Sequence, residues 1–210
     1  FSKGGHGVPL SNISIGLAIF AVGLFKKVIL ADTASTFATP VFDAALAGAD
    51  PTLVEAWGGM LAYTLQIYFD FSGYSDMAIG LARMFSIRLP LNFNAPYQSA
   101  SVIEFWGRWH ITLSRFLREY LYIPLGGNRK GNLRRYGNLM ATMLIGGLWH
   151  GAGVTFVIWG GLHGLYLIIN HVWLNVARAL GRRRASVAEP GQALALHPAL
   201  ARAITFLAVA

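Results

Sequence analysis

Long apolar runs alternate along this chain with short, charge-rich connections. Residues 4–25 contain no Asp, Glu, Lys or Arg. Together with Lys26-Lys27-Val28-Ile29-Leu30 they predict a first helix over 11–31, capped near Ser11 or Asn12. Such a helix is about 31 Å long, the thickness of one bilayer core. Residues 32–51 carry Asp32, Asp43 and Asp50 and no base, and are expected to form a loop. Residues 53–84 are the second apolar run, with Asp70, Asp76 and Arg83 inside it and Pro90 beyond it. A loop is expected over 91–100. Val102–Tyr122 is apolar but carries Glu104, Arg108, Arg115, Arg118 and Glu119 among aromatic residues that include Phe105, Trp106, Trp109, Phe116 and Tyr120. A plain span would not hold five charges, so this segment reads as an interfacial or re-entrant helix. After a basic turn at 126–131, residues 136–177 run without a formal charge. As helix they would be about 63 Å long, twice a bilayer, which requires two spans. The break belongs at Gly151-Ala152-Gly153, giving spans 135–150 and 154–175. A basic loop follows, and Ala199–Ala210 reads as the start of one more, truncated span.

The expectation is therefore an all-α, polytopic membrane bundle with about four full spans, an interfacial or re-entrant helix and a truncated last span. It forms one membrane domain over 1–210, internal to a longer chain. Composition agrees. Hydrophobic residues make up 55% and charged residues 12% of the chain, about half the charge of soluble domains, and the mean hydropathy is +0.50. Disorder and a water-soluble globule are thereby excluded. Seventeen Lys and Arg stand against nine Asp and Glu. In a membrane chain this surplus reads as the basic bias of cytoplasmic loops, and no nucleic-acid partner is expected. Residues 108–135 and 178–184 hold most of the bases and are expected on the cytoplasmic side; the acidic 32–51 is expected on the other. Lys26-Lys27 then falls near the outer end of the first span, where it must snorkel or meet an acid such as Asp32. The absence of Cys removes thiolate and disulfide chemistry.

His150 is the first candidate for chemistry. It ends an uncharged run and has glycines on both sides. It can be a general base, or a structural histidine bonded between helices. His110 is second. Ser114 lies one helical turn on, which allows a Ser–His pair, although a partner for a second histidine suits His110 better. His163 and His171 lack a nearby acid and read as packed, hydrogen-bonded residues, so no metal is expected. Asp76 and Arg83, seven apart, share a helix face and are expected to form an intramembrane ion pair. Asp70 and Asp76, six apart, do not share one. All three read as structural.

Several long strings resemble one family. They are Tyr68–Phe85 (YFDFSGYSDMAIGLARMF), Leu91–Ser99 (LNFNAPYQS), Phe105–Arg129 (FWGRWHITLSRFLREYLYIPLGGNR), Gly146–Gly153 (GGLWHGAG) and Trp159–Gly164 (WGGLHG). The chain resembles the membrane-bound O-acyltransferases, in the bacterial branch that contains the alginate O-acetyltransferase membrane subunit. The D-alanine transfer protein of teichoic acid synthesis resembles it more distantly. The likeness covers about residues 10–175. It implies a helical bundle with a tunnel reaching the active site from both membrane faces, in the bacterial inner membrane. It implies His150 as the family's catalytic histidine and His110 as the second histidine of this branch. The activity implied is acyl transfer, usually of acetyl, from a cytoplasmic thioester such as acyl-CoA toward an extracytoplasmic polysaccharide acceptor, with periplasmic acetyltransferase partner proteins and no bound cofactor. Trp109, Ser114, Arg115, Arg118 and Trp149 are the candidate donor-binding residues. The basic face over 108–135 suits phosphates of the donor or reports topology alone. A membrane transporter, or D-alanyl or peptidoglycan acyl transfer on the same fold, are the alternatives.

Overall fold

The computed structural model describes residues 9–185 and 197–210, the side chains of 181–185 excepted. The described residues are helical and loop, with no strand. The chain divides into two compact units, one ending at Phe93 and one running Asn94–Val209.

In the first unit, helix α1 runs over Leu10–Leu46. The loop expected over 32–51 is thus corrected to helix as far as Leu46, and only a short turn remains before the next helix. Phe37, Val41, Phe42 and Leu46 continue the apolar pattern past Asp32. The small Ala31 and Ala38, each 1% exposed, pack inward. Pro40 sits inside this stretch and leaves the carbonyl one turn before it without a backbone donor. A π-helical stretch at Lys26–Ala31 interrupts α1. Helix α2 spans Leu53–Met84 and opens on a capping box, in which Thr52 and Glu55 each satisfy the other's backbone N–H.

Helices α1 and α2 lie antiparallel, with glycine facing glycine at two levels. A Cβ on Gly16 would lie 2.6 Å from the Gly80 carbonyl oxygen, and one on Gly23 2.6 Å from that of Gly73. The reverse contacts are as tight. Backbones this close leave no room for side chains, the small-residue packing that joins helices in lipid. Two ion pairs complete the seam: Lys26 with Asp76 and Lys27 with Asp70, both at 2.5 Å. Lys27 also reaches Asp32 at 3.1 Å. The lysine pair therefore finds three acids rather than one. The expected Asp76–Arg83 pair does not form. Successive lysines point about 100° apart on a helix, and Asp70 and Asp76 diverge by a similar angle, so each lysine takes one acid. Arg83 keeps a buried Nε without a partner among the described residues.

In the second unit, the segment expected as one helix over 102–122 is broken. Helix α3 covers Val102–Arg108 and α4 covers Ile111–Leu117, continuing as a π-helical turn over Arg118–Tyr122. Helix α5 spans Gly131–His150 and α6 spans Val154–Ala185, with the break where the glycines predicted it. Residues 178–185, expected in a loop, are the last turns of α6. The rest of that loop, with Pro190, lies outside the described residues. A Cβ on Gly147 would strike the Phe156 carbonyl, and one on Gly160 that of Met143, so α5 and α6 also meet backbone to backbone. Helix α7 covers Pro198–Val209. Leu10–Leu46 and Val154–Leu180 are long and apolar enough to cross a bilayer. Large apolar side chains such as Leu17, Val22, Leu24, Ile29, Ile158 and Ile169 point outward, an apolar exterior that lipid covers and water does not tolerate.

Candidate functional site

The site lies in the second unit and grows from helix phase. Arg135, Leu139, Thr142, Met143, Gly146 and His150 are spaced by 4, 3, 1, 3 and 4 residues and so share one face of α5. All six line a cavity of about 630 Å3. The rise per residue puts Arg135 and His150 about 22 Å apart along that face.

His150 is the last residue of α5 and keeps an exposed ring. Aromatic rings hold it on three sides: Trp149 at 5.0 Å and Trp159 at 5.2 Å, both edge-to-face, and Phe156 stacked at 6.4 Å. Gly151 lets the chain turn there, since a Cβ would lie 2.5 Å from the Phe156 ring. Behind Trp159 is His163, 4.6 Å from it and 6% exposed. Trp106 meets both, at 5.9 Å from Trp159 and 5.2 Å from His163. His163 is packed, as expected, but its buried Nδ1 has no partner among the described residues, and neither has the Trp106 indole N–H.

His110 occupies the break between α3 and α4. Its φ of 43° and ψ of 54° are left-handed, a region uncommon for residues other than glycine and one in which histidine is enriched. Trp109, extended before it, stacks on Phe105 at 5.6 Å. The Ser114 hydroxyl donates to the Trp109 carbonyl at 3.3 Å and the Ser114 N–H to the His110 carbonyl at 2.9 Å. Ser114 thus staples the break. Burial, and then the charge of His150, hold the His110 ring below its ordinary pKa. A neutral imidazole there can accept or pass a proton near neutral pH.

The other candidates separate by which way they face. Ser114 and Arg118 line the cavity; Arg115, exposed, does not, and neither do Trp109 or Trp149. Arg108 is held by Glu104 at 2.8 Å. Asp70, Asp76 and Arg83 belong to the first unit. Sequence reasoning named Arg118 and the basic face over 108–135 but did not single out Arg129, Arg135 or His171 for the site. All four residues line the cavity, and an Arg135 Nη lies 2.8 Å from the His171 Nδ1. The helical phase that joins Arg135 to His150 was the signal that could have found Arg135. Among the described residues no group of three potential metal ligands occurs.

The arrangement lines one cavity with the His150 imidazole, an apolar stretch of α5 and the Arg135 guanidinium about 22 Å away along that helix, with Arg118 and Arg129 also on the wall. That suits proton transfer at one end of a long ligand with an anionic far end.

The model of the membrane-bound O-acyltransferase family matches residues 5–209. A peptidoglycan O-acetyltransferase of Helicobacter pylori is 54% identical over 80% of this chain and 31% of its own length. A probable alginate O-acetylase of Pseudomonas aeruginosa is 54% identical over 79% of this chain and 30% of its own. A teichoic acid D-alanyltransferase of Streptococcus thermophilus is 30% identical over 83% of this chain and 44% of its own. The chain spans about a third of the length of the first two relatives.

Proposed function

This chain belongs to the membrane-bound O-acyltransferase family, and we propose that it forms the catalytic part of an enzyme that moves an acetyl group from a thioester donor to a hydroxyl of a polysaccharide outside the cytoplasm. One observation carries the reading: His150 and Arg135, about 22 Å apart along one face of α5, line the same cavity.

The chemistry follows from the groups present. The neutral imidazole of His150 takes the proton of an acceptor hydroxyl as its oxygen attacks the thioester carbonyl. The tetrahedral intermediate holds negative charge on the former carbonyl oxygen. Its collapse breaks the C–S bond, and the leaving thiolate takes the proton back from His150. The second imidazole, His110, does not line the cavity but feels the charge of His150, and its role in this reading is to orient the acceptor beside it.

Two of the most similar relatives are named for different acceptors, peptidoglycan and alginate, at equal identity. Overall likeness therefore does not choose between them, and a glycan hydroxyl is the shared chemistry. The D-alanyltransferases are much less similar, which favours acetyl over D-alanyl. Association with the bacterial inner membrane and with periplasmic acetyltransferase partners belongs to the same proposal.

The test is His150→Ala in the whole protein, expressed in a strain lacking its own copy. Glycan-bound acetate is expected to fall about 10²–10⁴-fold, the usual loss with a general base, while membrane accumulation stays normal. Near-normal acetate would refute the assignment.

A further inference from the structure

The loop before α3 and the Glu104–Arg108 pair have no part in the chemistry above, yet the structure ties them together beside His110. In the second unit two described residues other than glycine are left-handed: Ala95, with a φ of 44°, and His110, with a φ of 43°. Ala95 also precedes Pro96, which restricts it further. Such conformations persist only where their surroundings over-determine them. A closed set of contacts does so here. The Asn94 N–H donates to the Arg108 carbonyl at 2.9 Å, and one Arg108 Nη donates to the Asn94 carbonyl at 3.3 Å. The other Nη pairs with a Glu104 carboxylate oxygen at 2.8 Å. The second oxygen of that carboxylate accepts the Ala100 N–H at 2.8 Å. Between these ties the Tyr97 ring lies against Phe105 at 6.3 Å and Trp109 at 6.0 Å. An ordinary pair four residues apart on a helix would explain the Glu104–Arg108 contact alone. It would not bring the far oxygen of one side chain and the far nitrogen of the other to the two ends of one loop.

We infer that residues 94–100 and the Glu104–Arg108 pair form a bracket that sets the direction of the His110 ring, with Glu104 and Arg108 as its positioning residues. The inference rests on the acyltransfer reading, in which His110 orients the acceptor, and supplies what holds that histidine in place. The bracket grips the carbonyl and the side chain of Arg108, two residues before His110. From there the chain turns within two residues, since Trp109 is extended and His110 left-handed. A shift of the Arg108 peptide therefore passes directly into the His110 ring. A misplacement of about 1 Å at a reacting group can cost about 10²-fold in rate. Arginine suits the task because its planar fork serves the Glu104 carboxylate and the Asn94 carbonyl at once, which a single ammonium does less well.

Two measurements on the whole protein test the bracket, one of them without turnover. This chain has no cysteine. In the whole protein, cleared of any other cysteine, His110→Cys and His150→Cys are combined and bridged with a short bifunctional thiol reagent in membranes. Adding Arg108→Gln is expected to slow the bridging several-fold, and Arg108→Lys to restore part of the rate, with resistance to trypsin unchanged. Unchanged bridging in Arg108→Gln overturns the bracket, and so does a parent that cannot be bridged. The second measurement is glycan-bound acetate in a strain lacking its own copy. With His110 present, Arg108→Gln is expected to lower acetate about 10–10²-fold. In a His110→Ala background the same change is expected to matter less than about twofold, because the two residues act as one unit. An equal factor in both backgrounds marks a merely structural arginine and overturns the inference. If Arg108→Gln fails to accumulate, Arg108→Lys carries both comparisons. If His110→Ala leaves no measurable transfer, the bridging rate decides. Slower bridging in a protein whose wild type transfers no acetyl group would sink the acyltransfer reading and leave the bracket standing.

Discussion

Replacing Gly73 by alanine adds one methyl group where α1 and α2 meet. Its carbon would lie 2.7 Å from the Gly23 carbonyl oxygen and 3.1 Å from the Lys27 nitrogen. Both neighbours are backbone, so no side chain can swing away. Ordinary contact begins near 3.4 Å, and the helices must part by about 0.7 Å there to reach it. Such forced repacking costs about 1–3 kcal/mol. The separation also stretches the Lys26–Asp76 and Lys27–Asp70 pairs, which straddle the same level at 2.5 Å. Against this, alanine in place of glycine in a helix returns about 0.5–1 kcal/mol. The net expectation is a loss of up to about 2.5 kcal/mol, taking both terms together. Gly58, on the same helix, supplies the control, because a Cβ there meets nothing within 4 Å. Gly58→Ala should show the helical gain alone. Thermal unfolding of both variants in one detergent, followed by resistance to trypsin, gives the comparison. Gly73→Ala is expected to open at lower temperature than wild type and Gly58→Ala at the same or higher temperature. If the two behave alike, the backbone contact does not hold these helices together.

Asp76→Asn is expected to lower membrane accumulation by leaving Lys26 uncompensated, and Lys26→Met combined with Asp76→Leu to recover much of it, read by immunoblot of membrane fractions. The basic turn before α5 is expected to face the cytoplasm and the α1–α2 turn the other side. Cysteines placed singly at Asn132 and Ala47 should react with an impermeant thiol reagent in intact spheroplasts at 47 only, and the reverse pattern would overturn the orientation. His110→Gly removes the ring while easing the left-handed backbone, and should lower acetyl transfer without lowering stability; a variant that is both stable and fully active would return His110 to a packing role.

Helices were legible in the sequence where a single physical rule decided them. The 42 uncharged residues over 136–177 had to fold as two helices, and the glycines at 151 and 153 had to part them. Two elements were misread because a local rule was outweighed. Asp32 looked like the start of a loop, yet Lys27 consumes its charge and the helix continues. Asp76 and Arg83 matched in phase within one helix, but a neighbouring helix offered a nearer cation. Partners from another helix are invisible to periodicity within one. The break at Trp109-His110 was missed for a related reason: its left-handed residue is not a glycine, so composition carried no warning. The cavity was half legible, since its α5 face is a regular stripe, whereas His171 and Trp159 join it through the packing of α6.

The two units treat charge at membrane depth in opposite ways, and the contrast separates structural from functional polarity. An uncompensated charge in a poorly hydrated place is expensive, whatever its purpose. In the first unit both lysines of α1 are answered by carboxylates of α2 across a seam too tight for any ligand. Those charges are spent on joining two helices. In the second unit the half-buried Arg135 faces a cavity of about 630 Å3, with the exposed Arg118 and Arg129 on the same lining and no carboxylate paired with any of them among the described residues. One of them carries a buried, unpartnered Nε and leans on a neutral histidine. A structural role would favour closing such a gap with an acid, which a single substitution could supply. Introducing one tests the distinction directly. Leu139→Glu, one turn from Arg135 on the same face, provides a carboxylate within reach of the guanidinium. If the arginines are structural, this variant should be at least as stable as wild type and as active. If they are kept open for an anionic donor, it should be stable and should lose acetyl transfer from phosphorylated donors. Thermal unfolding measured beside donor kinetics tells these outcomes apart, and full activity in a stable Leu139→Glu protein would refute the functional reading of the basic end.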